Sequence, residues 1–330
     1  MEPIHDFGKE AMEREELRIQ KRKKMKKIFR SVLLLLLASS IIFLWSDIKN
    51  VVASSSKKEK AKSGKKVTEQ AEITEPASAG IIIAKKWDLP KALTEVSGLA
   101  NIDDMRFACV QDEQGTVFIY NTASETIEKE ISFAGPGDYE GITLVNETAW
   151  VVRADGHLYE IDNIKATKPA VKEYSTHLTI DHNIEGLCYD KKNNRLLVAI
   201  KDAEPSSPDY KGIYAFDLAT RIMAKEPVFK IDLLNPIFNN GTSKKNKGGG
   251  IMPSSIGIHP VTGDMYVTDG RKAKLLIMDS AGNIKKLYQL NSNEFAQAEG
   301  ITFKPDGKMF ISNEGPKKPA NILHVEIAVE

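Results

Sequence analysis

The chain has 330 residues, enough for two or three domains of ordinary size or for a single propeller or barrel. Its 46 Lys and Arg almost cancel its 45 Asp and Glu, so the net charge of +1 singles out no charged partner, and no nucleic-acid binding is expected. The distribution of charge along the chain is more informative than its sum.

Residues 1–27 form a basic segment that ends in Lys21-Arg22-Lys23-Lys24-Met25-Lys26-Lys27, and the uncharged run Val32 to Trp45 follows closely. As a helix those fourteen residues rise about 21 Å, short of the roughly 30 Å hydrocarbon core. Adding Ile28 to Ser31 brings the span to about 27 Å, with Arg30 snorkelling back to the headgroups and Trp45 placed as an interfacial anchor. Within fifteen residues the N-terminal flank of segment 28–45 carries eight Lys or Arg and the C-terminal flank four. The positive-inside rule therefore predicts a single-pass plasma (inner) membrane anchor, N-terminus cytoplasmic and the rest extracytoplasmic or periplasmic. Val51-Val52-Ala53 resembles a signal-peptide cleavage site, but the charged region before the apolar run is too long for one. With no Cys near the run, a lipoprotein anchor is not indicated. Residues 46–79 are mostly Ser, Lys, Ala and Glu, too poor in apolar surface to fold, and read as a flexible tether.

From residue 80 to 330 one pattern restarts five times: an acidic or small residue, a small residue, then an alternating apolar run. The starts are Ser97-Gly98-Leu99, Glu140-Gly141-Ile142, Glu185-Gly186-Leu187, Ser254-Ser255-Ile256 and Glu299-Gly300-Ile301, spaced by 43, 45, 69 and 45 residues. Three of these spacings match a four-stranded propeller blade. Hairpin turns rich in Asn, Asp and Gly follow, as in Lys191-Lys192-Asn193-Asn194 and Lys304-Pro305-Asp306-Gly307, and supply positive φ. Next come apolar second strands such as Leu196 to Ile200, third strands such as Ile213 to Asp217, and more polar outer strands: Thr126 to Phe133, Val171 to His177, Val228 to Leu233 and Ile284 to Leu290. The 69-residue spacing is assigned to an irregular loop over Leu234 to Met252 rather than to a sixth blade. The fifth repeat lacks an outer strand, and Ile81 to Leu89 has strand composition with no partner of its own. Pairing the two closes the ring, so the expected fold is an all-β five-bladed propeller closed by an N-terminal strand. Deleting residues 80–90 is then expected to destabilise the whole domain.

Glu185-Gly186-Leu187-Cys188-Tyr189-Asp190 with Asn194 to Ala199, Pro253-Ser254-Ser255-Ile256 and Ala298-Glu299-Gly300-Ile301, in this order, resemble the SdiA-regulated family. These are YjiK-like membrane-associated proteins distantly related to NHL-repeat propellers. The resemblance spans about Trp87 to Val325 and implies a five-bladed propeller with a bound calcium ion, without implying an activity.

In a propeller the first strand of each blade lines the central channel, so Ser97, Glu140, Glu185, Ser254 and Glu299 form a ring at one mouth. Three converging carboxylates call for a cation or protons, and a hard ion with six to eight oxygen ligands suits them. Asp112, Asp269 and Glu314, which follow second strands, complete the expected Ca2+ set of Glu140, Glu185, Glu299, Asp112, Asp269 and Glu314. Arg153 and Lys201 stand at the corresponding places of the other two blades, where a cation would replace part of the metal's charge. A second reading stays open, in which Glu-Gly is a structural blade start. Cys109 and Cys188 fall on repeats that are not neighbours and read as free buried hydrophobes. The histidines show no zinc spacing and read as exposed polar positions; no phosphate loop, EF-hand or Gly-x-Ser-x-Gly elbow occurs. The acidic loop Asp202 to Pro208 reads as surface, or as an extension of a ligand mouth. The function expected is a calcium-containing binding or scaffold module for an unknown protein or small-molecule ligand at a mouth. The alternative is a calcium-dependent hydrolase of lactones or phosphoesters.

Overall fold

Runs of five to eight residues that are apolar on both faces, each bounded by Asn, Asp or Gly, favour fully buried strands joined by tight turns. The computed structural model, which describes residues 80–202, 204, 205, 207–239, 250–315 and 318–328, folds them into five antiparallel sheets. Strand β1 is Ile81–Asp88. Blade 1 holds β2 to β5 (Val96–Asn101, Arg106–Gln111, Thr116–Asn121, Thr126–Ser132), and blade 2 holds β6 to β9 (Tyr139–Val145, Thr148–Arg153, Leu158–Asp162, Ala170–Tyr174). Blade 3 contains β10 to β14 (Ile184–Asp190, Arg195–Ile200, Tyr210–Asp217, Ile222–Met223, Phe229–Asp232), its outer edge being divided between two short strands that both pair with β12. Blade 4 holds β15 to β18 (Ser255–Ile258, Met265–Asp269, Lys274–Met278, Ile284–Gln289). Blade 5 holds β19 to β21 (Ala298–Phe303, Met309–Asn313, Asn321–Ile327) and takes β1 as its outer strand, with Ile81 opposite Ile327 and Asp88 opposite Asn321. The basic segment 1–27, the apolar run 28–45 and the tether 46–79 lie outside the described residues. Among the described residues no helix is long and apolar enough to cross a membrane.

The turn chemistry is as the sequence demands. Asn146, Asn194, Gly263 and Gly307 carry positive φ at the tips of four hairpins between first and second strands. Each of five hydrophobic cores lies between two neighbouring blades. Val110, Val117 and Ile119 of blade 1 meet Ile142 and Val151 of blade 2, and the sequence of cores continues round to Phe310 and Ile322 of blade 5, which meet Leu99 and Phe107 of blade 1. Polar staples supplement the packing. Arg221 on blade 3 donates from Nη2 to Glu160 Oε1 of blade 2 at 2.7 Å and lies over the Trp150 ring, 4.9 Å from its centroid.

The Gly of each restart marks where the next blade's backbone comes closest. A methyl on Gly98 would lie 2.9 Å from Ile142 N, on Gly141 3.2 Å from Leu187 N, on Gly186 3.2 Å from Ile256 N and on Gly300 3.0 Å from Leu99 N. In blade 4 the residue is Ser255, whose Oγ accepts a hydrogen bond from Ile301 N at 3.2 Å. These contacts pass from blade 1 through blade 5 and back to blade 1, so the segment from residue 80 onward contains every contact that closes its own ring.

Two outcomes are expected in denaturant unfolding. Gly300→Ala, which forces a methyl against Leu99 and the Ser312 hydroxyl, should cost about 1–3 kcal/mol through overpacking. Trp87→Ala on the closing strand should cost about 3–5 kcal/mol. Trp87→Phe should cost far less, because the buried indole N–H has no hydrogen-bond partner to lose.

Candidate functional site

The ring residues owe their orientation to a repeated backbone irregularity. In four blades the ladder between first and second strands skips one residue: Ser97 between the Val96–Gln111 and Gly98–Val110 pairs, and likewise Glu140, Glu185 and Glu299. A β-bulge leaves its extra residue out of the ladder and re-aims its side chain. In blade 4 pairing begins at Ser255 opposite Thr268, and Ser254 just before it donates its N–H to Thr268 O at 2.9 Å. All five ring residues are buried.

The two serines tie blades together. Ser97 Oγ donates to Tyr139 O of blade 2 at 2.6 Å, and Ser254 Oγ donates to Ala298 O of blade 5 at 2.5 Å. Ser254 Oγ also accepts from Gly270 N at 3.0 Å.

The three glutamates share a lysine. Lys201, the first residue after β11, places Nζ 2.9 Å from Glu185 Oε1, with about a fifth of its side chain exposed. Burial disfavours its charge, yet the carboxylates of Glu185, Glu299 and Glu140 outweigh that and hold its pKa well above the ordinary lysine value. Glu299 behaves oppositely. Burial pushes its carboxyl well above the usual range; Lys201 pulls it back in part, while Glu185 and Glu314 push it further. Its Oε1 lies against Gly270 of blade 4, where an ideal Cβ would be 2.7 Å away. Gln297 hydrogen-bonds to Glu299 and donates from Nε2 to Glu314 Oε2, joining the two carboxyl groups.

A family model of the SdiA-regulated proteins matches residues 80–319. The chain belongs to the SdiA-regulated family. No curated protein sequence matches it. Among solved structures the fold is similar to that of the glutaminyl cyclase of Myxococcus xanthus, with a TM-score of 0.54 at 15% identity over 77% of this chain and 100% of that one. It is also similar to the virginiamycin B lyase of Staphylococcus aureus, with a TM-score of 0.41 at 14% identity over 70% and 67% of the respective chains. At such identities the likeness concerns the fold.

The six carboxylates expected around calcium are not all brought together in this SdiA-regulated propeller. Glu140, Glu185, Glu299 and Glu314 act on one another or on Lys201 at one mouth. Asp269 faces its own loops instead: Oδ2 accepts from Met252 N and Oδ1 from Lys272 N, both at 2.9 Å. Strand register explains this. Gly270, Ala154, Asp112 and Glu314 are the counterparts of Lys201, and Asp269 lies one residue before that position. Arg153 is likewise one residue short, opposite Tyr139 rather than level with Lys201. It turns away to Asp155, with Nη2 2.8 Å from Oδ2, and donates from Nη1 to Tyr159 Oη at 2.7 Å. Tested against calcium, the mouth fits poorly, because a lysine ammonium already stands where the cation's charge would be needed and Asp269 is committed to backbone amides.

The remaining sequence candidates resolve individually. Cys109 and Cys188 are free and buried, and burial raises the Cys109 thiol to about 12. Glu204 of the acidic loop is turned inward, where both its oxygens accept from Tyr214 Oη at 3.0 Å, so its carboxylate does not extend a mouth. Among the described histidines four depart from the expectation of exposed positions, being half-buried: His324 stacks on Phe310 with ring centroids 5.0 Å apart, His157 Nδ1 lies 3.0 Å from Asp155 Oδ1, His182 Nδ1 accepts from Thr179 N at 3.0 Å, and His259 stacks on Tyr266. Gln297 and Gly270 have no distinguishing sequence signal, because both act through neighbours that only the ring brings near.

Glu299 keeps its proton above the ordinary carboxylate value of 4.5, while the unfolded chain releases it there. The folded state therefore binds more protons between those two points, and stability falls as pH rises through that window. Glu299→Gln imitates the protonated acid. It should match the parent near pH 4 and exceed it at pH 8, as read from urea midpoints at the two pH values.

Proposed function

We propose that this SdiA-regulated protein is a membrane-anchored binding or scaffold module. Its propeller stands on the extracytoplasmic side, held by a helix over 28–45 and a tether over 46–79, and receives a protein or small-molecule ligand across the mouth ringed by Glu140, Glu185 and Glu299. The charge pattern of the N-terminal flanks supports the anchor and its orientation. The observation that carries the binding reading is the engagement of the mouth's polar groups. Glu185 is paired with Lys201, and Ser97 and Ser254 are committed to carbonyls of neighbouring blades.

Nucleophilic or general-base chemistry requires a group with access to the substrate and a partner that activates it. An ion-paired glutamate and two hydrogen-bonded serines supply rigidity instead. The alternative, a calcium-dependent hydrolase of lactones or phosphoesters, needs a Lewis acid on the scissile oxygen. A lysine ammonium can orient such an oxygen but polarises it less than a divalent ion. The fold itself is neutral between the two readings, since propellers host both.

The test is a turnover screen of the propeller (residues 80–330) on γ-lactones, phosphomonoesters and phosphodiesters, with and without millimolar calcium. No hydrolysis above buffer is expected under either condition. Calcium-dependent turnover that disappears in Glu185→Gln would establish the hydrolase in place of the binding module.

A further inference from the structure

We propose that Lys201 is the resident cation of the channel mouth, so that this propeller assembles its ring of glutamates with an internal ammonium and needs no calcium to do so. The inference stands whatever the mouth binds. It starts from the backbone: the bulges at Glu140, Glu185 and Glu299 bury three carboxyl groups whatever charge is available to balance them. Three buried carboxylates cannot all ionise without compensation, and the usual remedies are a metal ion, protons or a basic side chain.

The third remedy is visible here. Lys201 Nζ sits 2.9 Å from Glu185, within a hydrogen-bonded ion pair, and Glu140 and Glu299 act on the same ammonium. Its backbone is fixed as well, Lys201 N donating to Asn183 O at 2.9 Å, so the side chain leaves the second strand from a rigid point. Glu299 lies in the same cluster, bordered by Glu314 and Gln297, and burial together with Glu185 and Glu314 disfavours its ionised form. One ammonium thus offsets one of the ring's charges without a metal ion. A divalent ion entering the same space would have to expel the ammonium, and would gain no help from Asp269, whose oxygens are held by Met252 N and Lys272 N. Level with Lys201 in the other blades stand Asp112, Ala154, Gly270 and Glu314, so no second basic side chain shares the position.

Thermal unfolding of residues 80–330 tests this, comparing chelator with about 5 mM calcium at pH 8 and at pH 5. The parent midpoint should agree within about 1 °C with and without calcium, whereas a resident calcium of millimolar-class affinity would raise it by roughly 2–4 °C. Lys201→Met should lower the midpoint at pH 8 in chelator by roughly 6–15 °C, since it strips buried carboxylates of their counter-charge. Lowering the pH, or adding calcium, should then recover a substantial part of that loss in the variant while calcium leaves the parent unchanged. Lys201→Arg keeps the charge and should stay calcium-independent. It also keeps the comparison informative if Lys201→Met fails to fold. Calcium stabilisation of the parent would overturn the proposal. So would a Lys201→Met variant that loses nothing at pH 8, or one that neither acid nor calcium rescues, because lysine would then be packing rather than counter-charge.

Discussion

The structure depends on one steric constraint, the approach of five first strands around a common axis at backbone contact distance. Gly98, Gly141, Gly186 and Gly300 meet that constraint by having no side chain, and Ser255 meets it by accepting the neighbouring amide. A ring of such contacts is only as good as its last member, because a blade that cannot approach its neighbour leaves the hydrophobic core between them open. This is why the small residue recurs at the same place in every repeat, while the cores are built from whichever aliphatic or aromatic residues fill the space between blades.

The electrostatics of the mouth follow from the same geometry. In four blades a bulge leaves the residue just before the glycine out of the ladder and re-aims its side chain, and in blade 4 Ser254 takes the same place ahead of the first ladder pair. Where that side chain is serine it bonds to a carbonyl of the next blade; where it is glutamate it brings a charge into a site with little water. Burial raises Glu299, and opposite charge holds Lys201 protonated. Glu299 and Lys201 each respond to the other's charge as well as to burial, so their two shifts are coupled.

Closure by the N-terminal strand complements the axial contacts. Pairing β1 with β21 joins the beginning of the propeller to its end, and Trp87 enters the core shared by blades 5 and 1 beside Phe310, with ring centroids 6.2 Å apart. The ring therefore has no free radial edge between its first and last blades, and the first strand of the propeller is as integral as any strand within it.

The blade count, the closing strand and the identity of the ring residues were all legible in the chain, because they depend on local properties: strand periodicity, turn residues and a glycine demanded by contact. Outer strands agreed to within a few residues, except in blade 3, where the edge is shared by Ile222–Met223 and Phe229–Asp232 and no single apolar run marks it. The neighbours of each site residue were not legible. Sequence spacing placed Arg153 level with Lys201, yet a one-residue difference in register sends Arg153 to Asp155 and Lys201 to Glu185. It likewise grouped Asp269 with the ring, where register and two backbone amides turn it aside. Repeats in a chain determine which side chains begin a strand, since that requires only the strand's own pattern. Which charge answers which carboxylate was decided by the tertiary structure alone, because it turns on single-residue register and on contacts between blades far apart in sequence.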